Sequence, residues 1–81
     1  GRPLASGQDY DPTELTASHR TLPFGTVILV TNPASGRSTF VRVMDRGPVS
    51  QSYLIELSAQ AAQVLALDPN AARRVELRML P

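Results

Sequence analysis

Residues 41–48 read VRVMDRGP, a pattern typical of a β-strand that runs into a turn. Side chains alternate along a strand, so Val41, Val43 and Asp45 are predicted to share one face. Gly47-Pro48 then ends the strand and leaves a carboxyl group at the edge of an apolar surface. A carboxyl group in such a place is more easily protonated, which suits a general acid. The alternative is that Asp45 only forms the turn, a common use of Asp.

Length and composition predict one small domain that spans residues 1–81. The absence of cysteine excludes disulfides, zinc-thiolate sites and thiol nucleophiles. A net charge of +1, with only two Tyr and two Phe, gives no case for nucleic-acid binding. No apolar run approaches the ~20 residues of a membrane-spanning helix, so this domain is not expected to insert into a membrane.

Short apolar segments separated by turns predict an all-β fold with one brief helix. Residues 1–25 are predicted to be loop with short extended pieces, and with one helical turn that Asp11 caps. Strands are predicted over residues 27–30, 38–45, 53–57 and 73–80, and a helix over 59–67 that Ser58 caps and Asp68-Pro69-Asn70 breaks.

Burial is predicted from the same patterns. The apolar run Val27–Val30 fits a strand that is buried on both faces. Two further stripes, one on the helix and one on the last strand, are expected to face the core: Ala62, Leu65, Ala66, Val75, Leu77 and Met79.

Two polar residues join Asp45 as candidates for chemistry. His19 is the only histidine, in a predicted loop, and it is either catalytic, structural or simply exposed. A lone histidine in a chain without cysteine gives poor support for a metal site. Glu56 interrupts an apolar strand, so its carboxylate faces a cleft or pairs with Arg42 or Arg46.

Arg20 and Arg46 stand next to His19 and Asp45 in the sequence. A guanidinium group in either place is able to orient a carboxylate or to hold a sugar substituent. The alternative is that both arginines are solvated residues beside turns.

Three segments resemble the rare lipoprotein A (RlpA) family of bacterial peptidoglycan-associated proteins: TASHRTLPFGT (16–26), VRVMDRGPV (41–49) and LIELSAQAAQVL (54–65). That family carries an H-R-T-L-P-F-G run, a D-R-G-P turn and a D-L-S-x-x-A-A helix start in this order. The resemblance extends from Ala5 to Leu77. It implies a small six-stranded double-psi β-barrel with one short helix. Members usually have an earlier aromatic-rich strand, so we expect the first strand to be missing here.

The resemblance implies lytic transglycosylation, the cleavage of peptidoglycan glycan strands with formation of a 1,6-anhydro sugar. Lytic members rely on a glutamate in an A-S-G-E segment, on the histidine and on the D-R-G-P aspartate. The last two correspond to His19 and Asp45, which are therefore implied to be catalytic. The first corresponds to Gln8, which keeps the size of glutamate but cannot ionise. Glu56 stands where the family has Asp.

Gln8, Glu56, Arg20 and Arg46 are implied to bind the substrate, and no cofactor or metal is implied. We expect His19, Asp45 and Gln8 to converge on one open groove. The alternative function is a non-catalytic module that binds the cell wall or a protein on the same barrel, and Gln8 favours it.

The resemblance also implies partners and a location. Peptidoglycan glycan strands are the implied partner, and cell-envelope proteins are the further candidates. The implied location is the bacterial cell envelope, in the periplasm or at the outer membrane through a lipid anchor of the parent protein.

Overall fold

Five strands and one helix make up the fold of residues 2–68 and 74–80, which the computed structural model describes. The elements in chain order are β1 (Thr16–His19), β2 (Val27–Asn32), β3 (Arg37–Asp45), β4 (Ile55–Leu57), α1 (Ala59–Val64) and β5 (Glu76–Met79). The predicted class, mostly β with one short helix, is confirmed. No helix in these two ranges is long and apolar enough to cross a membrane.

The strands form one curled sheet in the order β4-β1-β3-β2-β5. β1 runs parallel to β3, and every other neighbouring pair is antiparallel. The predicted β2–β3 hairpin is present, and its connection ends at Gly36, whose N–H donates to the Asn32 carbonyl (2.8 Å). Gly36 has a φ of +75°, a conformation that side chains rarely adopt. Before β1, the described residues contribute only a single bridge between Pro3 and Asp9.

Residues 1–25, predicted to be loop with short extended pieces, contain one such piece that the sequence did not locate: the strand β1. Thr16–His19 is a strand with partners on both sides, although its mixed composition has no apolar run that would indicate one. Before it, Asp11 caps a hydrogen-bonded turn and not a helical one: its carboxylate accepts from the Thr13 hydroxyl (2.6 Å) and amide (2.9 Å). These two hydrogen bonds lower the pKa of Asp11.

The core lies on one face of the sheet and is covered by α1. Its buried members come from three strands and the helix: Ala17, Ile28, Val30, Val41, Val43, Ala61 and Leu65. Burial along β2 alternates, with Val27 and Leu29 only half-buried on the other face. The prediction that this strand is buried on both faces is therefore wrong.

The helix is shorter than predicted, and of its predicted inward stripe only Leu65 is fully buried. α1 is capped by Ser58 as predicted, but it ends at Val64. The Leu65 carbonyl accepts a hydrogen bond from the side-chain Nδ2 of Asn32 (2.8 Å). This bond fixes the end of the helix against the hairpin. Ala61 and Leu65 face the core, whereas Ala66 is exposed with a φ of +54°. The predicted helix breaker at Pro69-Asn70 lies outside the described residues.

The other two predicted strands are shorter than expected. β4 begins at Ile55, and Tyr53 and Leu54 before it are exposed. Val75, just before β5, and Leu77 on β5 pack against the core as predicted. Met79 lies on the core side as predicted, paired with Ile28, but it is 49% exposed near the end of the edge strand and is not part of the core. Arg73, the predicted start of β5, lies outside the described residues.

The Ser58 hydroxyl joins three segments in a buried position. Its oxygen accepts from the amides of Ala61 (3.2 Å) and Thr16 (3.3 Å), and it donates to the Glu14 carbonyl (2.7 Å). The hydroxyl therefore caps α1, extends the β1–β4 ladder and fixes the preceding turn.

Replacing Ser58 by Ala leaves these buried groups without their partner. We expect Ser58→Ala to lower the free energy of unfolding by about 2 kcal/mol, from the lost cap and the unsatisfied carbonyl. Urea denaturation monitored by circular dichroism measures this change. The matched control is Ser52→Ala, an exposed serine, with an expected change within about 0.5 kcal/mol. Equal effects of the two substitutions would contradict the role of Ser58.

Candidate active site

Two carboxylates lie in one row across the sheet, where β3 ends. Ser18 of β1 is paired with Asp45 of β3 on one side and with Glu56 of β4 on the other. Paired residues of neighbouring strands point to the same side of a sheet. Two strand spacings place the Cα atoms of Asp45 and Glu56 about 10 Å apart. Both residues line one cleft, together with Ser18.

A shift in strand register determines which face carries Asp45. Ser18 is paired with Asp45, but the residue before Ser18 is paired with Val43, so Met44 is skipped on β3. An extra residue of this kind breaks the alternation of side chains along the strand. Val41 and Val43 stay in the core, whereas Asp45 follows Ser18 to the cleft. The prediction that Asp45 shares a face with the two valines is therefore wrong.

The N-terminal segment, residues 2–10, lies along one side of this cleft. It folds back on itself, and the Leu4 N–H donates to the Gln8 carbonyl (2.7 Å). The Ala5 N–H donates to Oδ1 of Asp45 (2.8 Å). Asp45 therefore faces the cleft and also anchors the segment that borders it.

Arg2 faces the second oxygen of Asp45. Its Nη1 lies 3.6 Å from Oδ2, and its guanidinium carbon stands 5.0 Å from the centre of the Tyr10 ring. A separation of 3.6 Å is an ion pair but too long for a hydrogen bond. Because the Ala5 amide already occupies Oδ1, Oδ2 is the oxygen with room for a hydrogen bond to a ligand.

Glu56 faces the cleft and does not pair with an arginine. Its side chain is exposed, and no ion pair or hydrogen bond joins it to another described residue. Arg42 and Arg46, its predicted alternative partners, both lie among the described residues. Glu56 also lines a second, more apolar cleft with Tyr53 and Val75. Its carboxylate is therefore available to a ligand in either cleft.

His19 lies at the end of β1 and not in a loop. Its Nδ1 accepts from the amides of Thr21 and Leu22 (both 3.2 Å). A nitrogen that accepts hydrogen bonds carries no proton, so Nε2 is the donor of this ring. His19 follows Ser18 directly, but it is not among the residues that line the Asp45 cleft. In residues 2–68 and 74–80, no three acidic, His or Cys side chains come together to hold a metal ion.

Arg20 and Arg46 bind backbone carbonyls. The Nη2 of Arg20 donates to the carbonyls of Ser50 (2.5 Å) and Tyr53 (2.6 Å), which holds the loop before β4. Arg46 holds the connection between β1 and β2: its Nη1 donates to the carbonyls of Leu22 (2.7 Å) and His19 (3.2 Å). The Arg46 guanidinium also stacks on the Phe24 ring, 4.0 Å from its centre. Substrate binding by Arg20 and Arg46 stays a prediction.

Gln8 lies in the turn that is attached to Asp45. The turn closes through the Leu4 and Gln8 backbone, with Gly7 at a φ of +94°. The Gln8 side chain is exposed. Glu56 therefore lines the same cleft as Asp45, and Gln8 lies in the turn that is bonded to Asp45. His19 is paired with Ile55 and does not line this cleft.

Sequence reasoning missed Arg2, Tyr10 and Ser18, which line the same cleft as Asp45. Ser18 would have been found if β1 had been recognised, because its position follows from the pairing of strands. Nothing in the local sequence indicates Arg2 or Tyr10. Their place in the site depends on the fold-back of the N-terminal segment.

Comparison with known proteins places this sequence in a family. Residues 1–77 match the sequence model of the family described as lytic transglycolase. This chain belongs to that family. Membership confirms the predicted resemblance to RlpA and the double-psi β-barrel class.

The chain is similar to several curated relatives. It is 45% identical over 80 residues to the probable endolytic peptidoglycan transglycosylase RlpA of Nostoc sp. (strain PCC 7120 / SAG 25.82 / UTEX 2576), covering 99% of this chain and 22% of that protein. It is 36% identical over 81 residues to the endolytic peptidoglycan transglycosylase RlpA of Rickettsia felis (strain ATCC VR-1525 / URRWXCal2), covering 100% of this chain and 36% of that protein. It is 44% identical over 72 residues to the endolytic peptidoglycan transglycosylase RlpA of Escherichia coli (strain K12), covering 89% of this chain and 20% of that protein. The chain thus spans about a fifth to a third of these relatives' length.

The hydrogen bond from Ala5 to Asp45 gives a structural prediction. Asn keeps an oxygen in the place of Oδ1, so Asp45→Asn should retain the bond, whereas Asp45→Ala should lose it. We expect Asp45→Ala alone to lower the free energy of unfolding, by about 1 kcal/mol, and to speed hydrogen exchange at the Ala5 amide. Exchange measured by NMR on both variants checks this. The same fast exchange in Asp45→Asn would show that the carboxylate charge, and not the acceptor, holds the segment.

Proposed function

We propose that this chain is the glycan-cleaving domain of an endolytic peptidoglycan transglycosylase. The observation that carries the proposal is the cleft in which Asp45, with one oxygen open to a ligand, lies in a row with Glu56. Family membership and the names of the relatives support the same reaction class and peptidoglycan as the substrate. We propose that residues 1–81 act as one domain.

Asp45 is the proposed acid and base of the reaction. Protonated at Oδ2, it gives its proton to the oxygen of the β-1,4 bond between N-acetylmuramic acid and N-acetylglucosamine. The bond from that oxygen to the muramic C1 breaks, and the C6 hydroxyl of the same sugar attacks C1. Its proton passes to the Asp45 carboxylate, which restores the acid. The product is a 1,6-anhydro sugar, and no water is consumed.

The other predicted site residues are proposed to hold the strand. Glu56 is in place to accept hydrogen bonds from sugar hydroxyl or amide groups in the cleft. Gln8 lies in the turn that is bonded to Asp45, on the side of the cleft that this turn forms. His19 is proposed to orient the substrate through its Nε2–H, because its Nδ1 is already engaged. Arg20 and Arg46 would act through the loops that they hold.

A second candidate function is a non-catalytic module that binds glycan strands. The specific observation in its favour is Gln8, an amide where lytic members of the family have a glutamate. Both candidates share the cleft and the ligand, and they differ only in whether Asp45 transfers a proton.

The names of the relatives also support a location. Because peptidoglycan is the substrate in those names, we propose that the domain works in the bacterial cell envelope. We further propose that its parent protein is periplasmic or anchored to the outer membrane, and that cell-envelope proteins are additional partners.

Replacing Asp45 by Asn separates the two functions. Asn keeps the shape and an acceptor but has no proton to give, so an enzyme should lose at least about a hundredfold in cleavage while still binding strands. The assay incubates the chain with peptide-stripped glycan strands and detects anhydro-sugar products by mass spectrometry. The matched control is Asp9→Asn, a neighbouring exposed acid, which should cleave like the unchanged chain. Full cleavage by Asp45→Asn would overturn the assignment of Asp45.

Restoring the family's glutamate tests the effect of Gln8. If a second ionisable group helps the reaction, Gln8→Glu should raise turnover by about a hundredfold over the unchanged chain. The control is Gln63→Glu on the exposed side of α1, where no gain is expected. Strong cleavage by the unchanged chain with no gain from Gln8→Glu would show that Asp45 works alone. The binding-module function predicts no product from either form.

A further inference from the structure

An exposed aromatic and two arginines lie on the side of the sheet that faces away from the core. Strand pairing puts Leu29 opposite both Phe40 and Arg78, and it puts Val27 opposite Arg42. We call these five residues the Phe40 face. They alternate with core residues along their strands, so they share the outer side of the sheet.

The Phe40 face continues from the Asp45 cleft. Thr16 lines that cleft and is paired with Arg42 on the neighbouring strand. Phe40 lies two residues further along β3, so about 15 Å of strand separates it from Asp45. A linear polymer that occupies the cleft and follows β3 would therefore pass over Arg42 and Phe40.

Phe40 is unusual for a residue in the middle of the longest strand. Its side chain is 52% exposed, and no aromatic or cation–π contact covers it within residues 2–68 and 74–80. Its cross-strand neighbour Leu29 and, one row further, Val27 are half-buried apolar residues on the same side of the sheet. A large exposed aromatic on a continuous surface, unlike a single exposed aliphatic residue, is typical of a ligand platform.

The arginines of the Phe40 face differ from those near the site. Arg20 and Arg46 donate to backbone carbonyls, and Arg2 pairs with Asp45. Arg42 and Arg78 have no such bond to any described residue, although both are exposed. Their positive charge is therefore free for an anionic ligand.

One acidic residue of β5 lies on the same outer side of the sheet, next to the Phe40 face. Glu76 lies two residues before Arg78 on β5, opposite Thr31, and forms no ion pair with a described residue. It stands on the side of Arg78 that is further from the cleft, so the arginines lie between it and Asp45. Between Asp45 and Phe40, Arg42 is the one charged residue of β3, and the exposed Glu14 lies beside it, before the Leu15 carbonyl that accepts from the Arg42 N–H.

We propose that the Phe40 face binds the part of a carboxylate-bearing glycan strand that extends beyond the bond at Asp45. The Phe40 ring stacks on the apolar face of a sugar, and Arg42 and Arg78 pair with carboxylates that project from the strand. This inference rests on the proposed function, since it needs the same polymer in the cleft. It adds a preference for long, anionic strands.

The test compares ligands of different length and charge. All variants carry Asp45→Asn, so that binding is measured without cleavage. The ligands are long peptidoglycan glycan strands, a single disaccharide unit of them, and long chitin strands, which have the β-1,4 backbone without carboxylates. Dissociation constants are measured by calorimetry, and melting temperatures confirm that each variant is folded.

Two variants should lose affinity for long peptidoglycan strands but not for the disaccharide. Phe40→Ala, and separately the double variant Arg42→Gln with Arg78→Gln, should each bind them about tenfold more weakly. Binding of the disaccharide should stay the same. Against chitin strands, Phe40→Ala should lose affinity, whereas the double variant should not, because the ligand has no carboxylate. Added salt should weaken the binding of peptidoglycan strands less in the double variant than in the parent.

Matched controls change a similarly exposed large apolar residue and an exposed arginine on the other side of the sheet. Met79 is paired with the core residue Ile28 and is exposed to nearly the same degree as Phe40, at 49%. Arg37 is an exposed arginine of β3 paired with the buried Asn32. Met79→Ala and Arg37→Gln should bind all three ligands like the parent.

The outcomes separate this inference from the proposed function. If the parent binds long strands and the disaccharide, but Phe40→Ala and the double variant bind long strands as it does, the Phe40 face is overturned and the cleft stands. If the parent binds no peptidoglycan ligand, the proposed function fails and the Phe40 face with it. If sedimentation shows that Phe40→Ala turns a dimer into a monomer, the face is an interface between two copies, which also overturns the proposal.

Discussion

The skipped residue between β1 and β3 is the constraint on which the candidate site depends. A regular pairing would put Asp45 on the same side as Val41 and Val43, inside the apolar core. Because Met44 takes up one position, the chain turns Asp45 over to the other side of the sheet. The same strand therefore supplies apolar packing along most of its length and a carboxylate to the cleft at its end.

That placement makes Asp45 part of the structure as well as a candidate for chemistry. Oδ1 holds the Ala5 amide, while Oδ2 lies 3.6 Å from Arg2 and accepts no hydrogen bond from a described residue. One oxygen thus fixes the direction of the side chain, and the other is presented to the cleft. A fixed carboxylate needs little reorganisation when a glycosidic oxygen arrives, which is the usual advantage of a preorganised acid.

The sequence predicted correctly those parts of the fold that depend on a few consecutive residues. The apolar run of β2, the turn before β3 and the cap at Ser58 each follow from a few neighbouring residues. β1 could not be predicted in that way, because Thr16–His19 is a strand only through its partners on both sides. The place of Asp45 was wrong for the same reason: a shift in register depends on the partner strand and leaves no trace in the strand itself.

Candidate residues were found more readily than their roles. Arg20 and Arg46 stand beside His19 and Asp45 in the sequence, yet their guanidinium groups hold backbone carbonyls of the adjoining loops. Arg42 has no place among the predicted site residues, but its guanidinium bonds to no other described residue, and it follows the cleft along the sheet. Proximity in the chain therefore indicated which residues build the loops around the site, whereas strand pairing indicates which charges a ligand would meet. In a barrel made of short strands, a binding surface is formed by residues that lie side by side on neighbouring strands. A sequence motif along one strand supplies only one or two of the residues in each such row.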